Sequence, residues 1–221
     1  MKSHNEIIAF DMDGVLVDSK FSIINSLNQV LADLGFTVLD HSRVDLIGLS
    51  IVEMLNKATD NAIDQTQMPG AIANYRLQND ILGPMQTLPY PDIPHVLERL
   101  AKSYGLIVVT SKLQRSAKQL LKQLNLDQYF LDIFGLEVDG VRESKDVTLI
   151  RAQAKIDSLM NGSSDFLALV GDKESDIRAA HIYGIHSVGA LWGYGATGEL
   201  AEADLTADQP LNLLQVFNRI A

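Results

Sequence analysis

The chain has 221 residues, 47% of them hydrophobic, which suffices for one large core or for a core plus a smaller inserted module. Its 28 Asp and Glu outnumber 18 Lys and Arg, and the formal net charge of −10 argues against nucleic acid or an anionic membrane surface as partner. Cysteine is absent, which excludes disulfides, thiolate catalysis and cysteine-held zinc or iron–sulfur centres.

In chain order, Met1 to Glu6 carries no signal-peptide core, and no apolar stretch approaches the roughly twenty residues that span a bilayer. A soluble cytoplasmic protein is the expectation. The run Ile7-Ile8-Ala9-Phe10 predicts a short buried strand that delivers Asp11-Met12-Asp13-Gly14. A helix is predicted over 19–34, where Ile23, Ile24, Leu27, Val30, Leu31 and Leu34 recur at helical spacing, with Asp18 and Ser19 as its cap and Gly35 as its stop. From there to about residue 88 the patterns are helical only, over 43–47, 51–58 and 71–82, broken at Gly48, Pro69-Gly70 and Gly83-Pro84.

The proline-rich stretch Leu88-Pro89-Tyr90-Pro91-Asp92-Ile93-Pro94 reads as a stiff re-entry linker, and the rhythm then changes. Helices over 94–103, 114–124, 145–160 and 174–183 alternate with strands over 106–109, 130–136, 166–170 and 185–188. That alternation predicts an α/β fold, a Rossmann-like parallel sheet built from residues 1–17 and 89–221. The block 18–88 interrupts the alternation after the first strand and is expected to be an inserted helical cap.

Four polar segments follow strand ends or begin helices: Asp11/Asp13, Thr110-Ser111-Lys112, Lys145 and Asp172/Asp176. In an open parallel sheet the carboxyl ends of the strands share one edge, so these segments are expected to converge. Crowded carboxylates resist joint ionisation unless a cation sits among them, and oxygen-only ligands select a hard ion such as Mg2+. The residue types fit phosphoryl transfer to an aspartate. Asp11 is the candidate nucleophile and a metal ligand, and Asp13 the candidate acid and base. Thr110 and Ser111 are candidates for holding substrate, Lys145 for neutralising the phosphoryl group, and Asp172 for completing the metal shell. Asp176, one helical turn beyond Asp172, is a further candidate for ligating the metal or orienting its waters, with a plain first-turn acidic residue as the alternative.

These segments resemble the four motifs of the haloacid dehalogenase superfamily, the aspartate-nucleophile phosphatases. Asp11-Met12-Asp13-Gly14 resembles the first, Val109-Thr110-Ser111-Lys112 the second, Lys145 the third and Gly171-Asp172-Lys173-Glu174-Ser175-Asp176 the fourth. Within the superfamily the chain is most similar to phosphoglycolate phosphatases, through Pro89-Tyr90-Pro91-Asp92-Ile93, Thr110-Ser111-Lys112 and Trp192-Gly193-Tyr194-Gly195 followed by Glu199-Leu200. The resemblance implies a Mg2+-dependent phosphatase acting on a small phosphorylated metabolite, with Asp11, Asp172 and the main-chain carbonyl of Asp13 on the metal. One departure stands after the third-motif lysine, where relatives usually have Pro and this chain has Asp146.

Other activities share the scaffold. A phosphomutase of the β-phosphoglucomutase kind would return the phosphoryl group to a sugar. A dehalogenase would not need the second aspartate, and Asp13 is present. A binding or regulatory protein without turnover would not need Asp11, Asp13 and Asp172 together. Lys112 reads as a solvated lysine, and Arg43, Lys57 and Arg76 as solvated helix positions within the block that could also meet an anionic substrate. His4, His41, His95, His181 and His186 lack metal-ligand spacing and are expected at the surface or in the core. Trp192 and Tyr194 resemble a loop of the family, and packing under the last helix explains them equally well.

Overall fold

The structure, a computed structural model, describes residues 5–138, 143–162 and 164–220; His4 lies outside them. The chain divides into two compact units, one running to Val17 and resuming at Pro89, the other spanning Asp18–Leu88.

The first unit begins with β1 (Glu6–Phe10), buried from Ile7 onward. After the second unit, the chain returns through α4 (Ile93–Leu100), β4 (Gly105–Leu113), α5 (Gln114–Gln123) and β5 (Asp132–Leu136). It continues through α6 (Lys145–Met160), β6 (Asp165–Gly171), α7 (Glu174–Tyr183) and β7 (His186–Ala190). Two further elements, β8 (Leu205–Ala207) and α8 (Leu213–Ile220), follow the expected ones. The six strands form one sheet in the order β5-β4-β1-β6-β7-β8, and every pairing is parallel. The fold is the expected Rossmann-like α/β sheet.

The continuous apolar runs follow from burial on both faces of the sheet. Ile8, Phe10, Val108 and Val170 face one core with Leu97, Leu121 and Phe217 of α4, α5 and α8. Ile7, Ala9, Ile107 and Leu169 face the other with Leu149, Ile156 and Ala180 of α6 and α7. Phe10 is fully buried, and its truncation to Ala is worth about 3–5 kcal/mol at such a site.

Strand order reverses beside β1, with β4 on one side and β6 on the other. That is where an open parallel sheet leaves a crevice at its carboxyl edge. Phe10 pairs with Val108 of β4 and with Val170 of β6. Asp11 therefore leaves the sheet in the same row as Val109 and Gly171, one residue before Thr110 and Asp172.

The second unit contains α1 (Lys20–Asp33), α2 (Ile51–Ala58), α3 (Met68–Gln86) and a single 3-10 turn over Val44–Leu46. The chain enters and leaves it through two short strands, β2 (Val17–Asp18) and β3 (Leu88–Pro89), which pair with each other. Helix α1 stops at Gly35, whose φ of 79° is the left-handed conformation that glycine tolerates. Gly35 N–H bonds Ala32 O at 3.0 Å and Phe36 N–H bonds Leu31 O at 2.8 Å, the pattern that satisfies the last carbonyls of a helix. At its start, the side chain of Ser19 caps nothing, and Asp18 Oδ1 instead accepts the N–H of Lys20 at 3.3 Å.

Helix α2 has the full reciprocal cap, Ser50 Oγ accepting from Glu53 N and Glu53 Oε2 accepting from Ser50 N. Two predicted breaks in this unit are not breaks. Pro69 sits in the first turn of α3, where a missing N–H costs nothing. Pro84 lies in the last turn of α3, where it forfeits one bond without ending the helix.

Candidate active site

Three carboxylates, those of Asp11, Asp172 and Asp176, are buried with one oxygen of each within 4.8 Å of the others. Asp11 follows β1, and its own N–H is held by Val170 O at 2.8 Å, which ties the end of β1 to β6. Asp172 follows β6, and Asp176 lies in the first turn of α7. Asp176 is fully buried and bonds the N–H of Lys173 at 3.0 Å, so it closes the start of α7 and faces the cluster at once.

Lys145, the first residue of α6, reaches into the same cluster. Its Nζ lies 2.8 Å from Asp11 Oδ1 and also bonds Asp176 Oδ1. Three carboxylates against one ammonium leave two negative charges uncompensated when all are ionised. Burial pushes the Asp11 carboxyl up to about 7 against the pull of Lys145. Burial, together with the charges of Asp11 and Asp176, pushes Asp172 up to about 8. Burial works against the charge of Lys145, but Asp11 and Asp176 outweigh it and hold the ammonium above its ordinary range.

The remaining sequence-predicted residues line the same strand ends. Thr110 is buried, and its Oγ1 accepts the N–H of Lys112 at 3.2 Å. Ser111 is half-buried beside it. The carboxylate of Asp13 stands outside the three-carboxylate cluster. Its Oδ2 is 3.5 Å from Lys112 Nζ, while its Oδ1 is buried and has no hydrogen-bond partner. Lys112 is therefore not a solvated lysine: its side chain is 11% exposed and paired with Asp13. In the second unit, Arg43 and Lys57 both bind Asp45, each at 2.9 Å, and the Arg43 hydrogen bond leads in holding that carboxyl down to about 2. His95, His181 and His186 are exposed and His41 is half-buried.

The segment Trp192-Gly193-Tyr194-Gly195 has more than a packing role. The N–H of Tyr194 donates to Asp172 Oδ2 at 2.7 Å. Trp192 Nε1 donates to Val15 O at 3.1 Å, and Lys173 Nζ donates to Tyr194 O at 2.8 Å. Gly14, at φ 93°, has no room for a Cβ, which would strike the Asp172 carboxylate and the Tyr194 ring. The bond to Asp172 comes from a backbone N–H and carries no residue signature, so sequence reading does not find it.

The cluster fits a hard divalent cation. All its donors are carboxylate oxygens, and Asp172 Oδ1 is buried without a hydrogen-bond partner. Beside it stand a buried cation, a buried hydroxyl and a carboxylate with one oxygen that has no hydrogen-bond partner. Such a set can carry out acyl-phosphate chemistry at Asp11.

The chain belongs to the haloacid dehalogenase-like hydrolase family, whose model matches residues 8–190. It is a phosphatase, a phosphoric monoester hydrolase. The phosphoglycolate phosphatase of Aquifex aeolicus is 29% identical over 214 residues, covering 96% of both chains. The 5'-nucleotidase of Pseudomonas aeruginosa is 29% identical over 195 residues, covering 87% of this chain and 86% of that protein. The crystal structure of a predicted phosphatase from Clostridium acetobutylicum superposes with a TM-score of 0.86 at 26% identity, covering 97% of this chain and 98% of that one.

Proposed function

We propose that this chain is a Mg2+-dependent phosphatase of small phosphomonoesters, with a phosphoglycolate-like substrate and an aspartyl-phosphate at Asp11. The observation that carries the reading is the buried constellation of Asp11, Lys145, Asp172 and Asp176, with Lys145 Nζ 2.8 Å from Asp11 Oδ1. The similarity to a phosphoglycolate phosphatase over 96% of both chains supports the substrate class.

In this mechanism a carboxylate oxygen of Asp11 attacks phosphorus, and the bond from phosphorus to the alkoxide breaks. Asp13 gives the alkoxide its proton, then takes a proton from the water that hydrolyses the acyl phosphate. Thr110 Oγ1 donates to a phosphoryl oxygen, and Ser111 contacts substrate beside it. Lys145 keeps Asp11 oriented and offsets the phosphoryl charge. Asp11, Asp172 and Asp176, with the main-chain carbonyl of Asp13, would hold Mg2+, which would keep the buried carboxylates ionised and polarise the phosphoryl oxygens. The unit Asp18–Leu88 acts as the cap that selects substrate, and the protein works in the cytoplasm.

The test is a panel of phosphoglycolate, sugar phosphates, nucleoside monophosphates and pyrophosphate, assayed for released phosphate with Mg2+ and with EDTA. Steady, Mg2+-dependent release from phosphoglycolate is expected. Release from nucleoside monophosphates alone would transfer the substrate class to that of the Pseudomonas relative. Isomerised sugar phosphate without net release would make the chain a mutase.

A further inference from the structure

Asp172 is held unevenly. Its Oδ2 accepts the Tyr194 N–H at 2.7 Å, while its Oδ1 is buried and has no hydrogen-bond partner. The uneven hold is built into the backbone. A Cβ on Gly193 would run into the Asp172 carboxylate and Gly14 O, and a Cβ on Gly195 would run into Asp172 O. Only a chain without side chains at these two positions passes close enough for the N–H between them to reach Oδ2. The loop is fastened outside the cluster as well, by Trp192 Nε1 on Val15 O, Lys173 Nζ on Tyr194 O and Ala196 N on Glu199 Oε2.

We infer that the Trp192–Gly195 loop is the metal-discriminating element of this site, because its Tyr194 N–H occupies one oxygen of Asp172 and leaves the cation the other. The inference rests on the proposed cation site at Asp11, Asp172 and Asp176. Mg2+ demands a near-octahedral shell at short distances, whereas Ca2+ takes six to eight oxygens and accepts carboxylates in the two-oxygen as well as the one-oxygen mode. A carboxylate with one oxygen engaged contributes a single ligand in a fixed place. That suits the smaller ion and denies the larger one an extra ligand. Tyr194 acts through Asp172 and is a positioning residue; the groups that hold Asp172 are its N–H and the glycines on either side.

The experiment is calorimetric titration of the intact protein with MgCl2 and with CaCl2, without substrate. Gly193→Ala places a methyl group against Asp172 and pushes its carboxylate off the N–H. It is expected to shift the Mg2+-to-Ca2+ affinity ratio toward Ca2+ by about tenfold, through a gain in Ca2+ binding as well as a loss in Mg2+ binding. Trp192→Phe removes only the tether to Val15 O and is expected to shift the ratio the same way by at least about threefold. It keeps the test alive if circular dichroism shows that Gly193→Ala does not fold. Asp172→Ala is the reference and should abolish the binding of both ions.

A ratio unchanged within about twofold in the folded variants, with binding still lost in Asp172→Ala, overturns the loop inference and leaves the cation site standing. Wild-type protein that binds neither ion, or binds them equally well without Asp172, overturns the cation site and the loop inference together.

Discussion

The Nζ of Lys145 lies 2.8 Å from Oδ1 of Asp11, so the start of α6 supplies the counter-charge for the end of β1. Neither side chain is more than 8% exposed, and the same ammonium bonds Asp176. Lys145→Met leaves those carboxylates buried without a cation. Phosphate release is expected to fall at least about a hundredfold, near 2.7 kcal/mol of barrier. Loss of one partner from a buried pair should also cost about 3 kcal/mol or more of stability. Urea denaturation reads the second effect, and Lys145→Arg, which keeps the charge, should recover part of both. Full turnover in Lys145→Met would remove the residue from the mechanism.

Asp11→Asn preserves shape and removes the nucleophile. The expected outcome is loss of at least about a thousandfold in turnover, about 4 kcal/mol, with no acyl phosphate trapped after acid quench. Near-wild-type turnover would falsify aspartyl-phosphate chemistry at this position.

Proton linkage follows from the raised carboxyls. Asp11 at about 7 and Asp172 at about 8 hold protons in the folded, metal-free chain that the unfolded chain releases near the ordinary value of 3.8. Where the folded state binds more protons, unfolding free energy falls as pH rises. In EDTA, the urea midpoint should therefore be lower at pH 8 than at pH 5.5. Added Mg2+ should raise the midpoint at pH 8 much more than at pH 5.5, because only ionised carboxylates bind it. A metal-free midpoint that climbs over this interval contradicts the charge balance described for the site.

Asp13→Asn removes the proton from the acid while leaving the three-carboxylate cluster intact. Single-turnover phosphorylation of Asp11 should slow strongly with an alkyl phosphate, whose alkoxide is basic, and much less with p-nitrophenyl phosphate. Mg2+ affinity measured by calorimetry should be unchanged. Equal slowing with both substrates would take the acid role away from Asp13.

Much of this protein is legible from local pattern. Ile7-Ile8-Ala9-Phe10 and Phe166-Leu167-Ala168-Leu169-Val170 read as strands because both faces of the sheet are buried and almost every residue must be apolar. The ends of α6 and α7 match their helical periodicity, since each buries one stripe against the sheet. Strand β8 and helix α8 are not predicted from the residues: a three-residue edge strand and an eight-residue helix are too short for periodicity to stand out. Local pattern also misplaces Pro84, because a proline one turn from a helix end loses little.

The sequence by itself determines that carboxylates terminate two apolar strands, and strand chemistry makes that a statement about one edge of one sheet. Only the tertiary structure decides the partners at that edge. It pairs Lys145 with Asp11 and Asp176, draws Lys112 in from solvent to Asp13, and leaves Asp13's carboxylate outside the cluster that Asp176 joins. It also places the N–H of Tyr194 on Asp172, a bond that any residue but proline could make. The reason is range: periodicity records which face of an element is buried, whereas these pairings depend on strand register and helix entry set by contacts far apart in the chain.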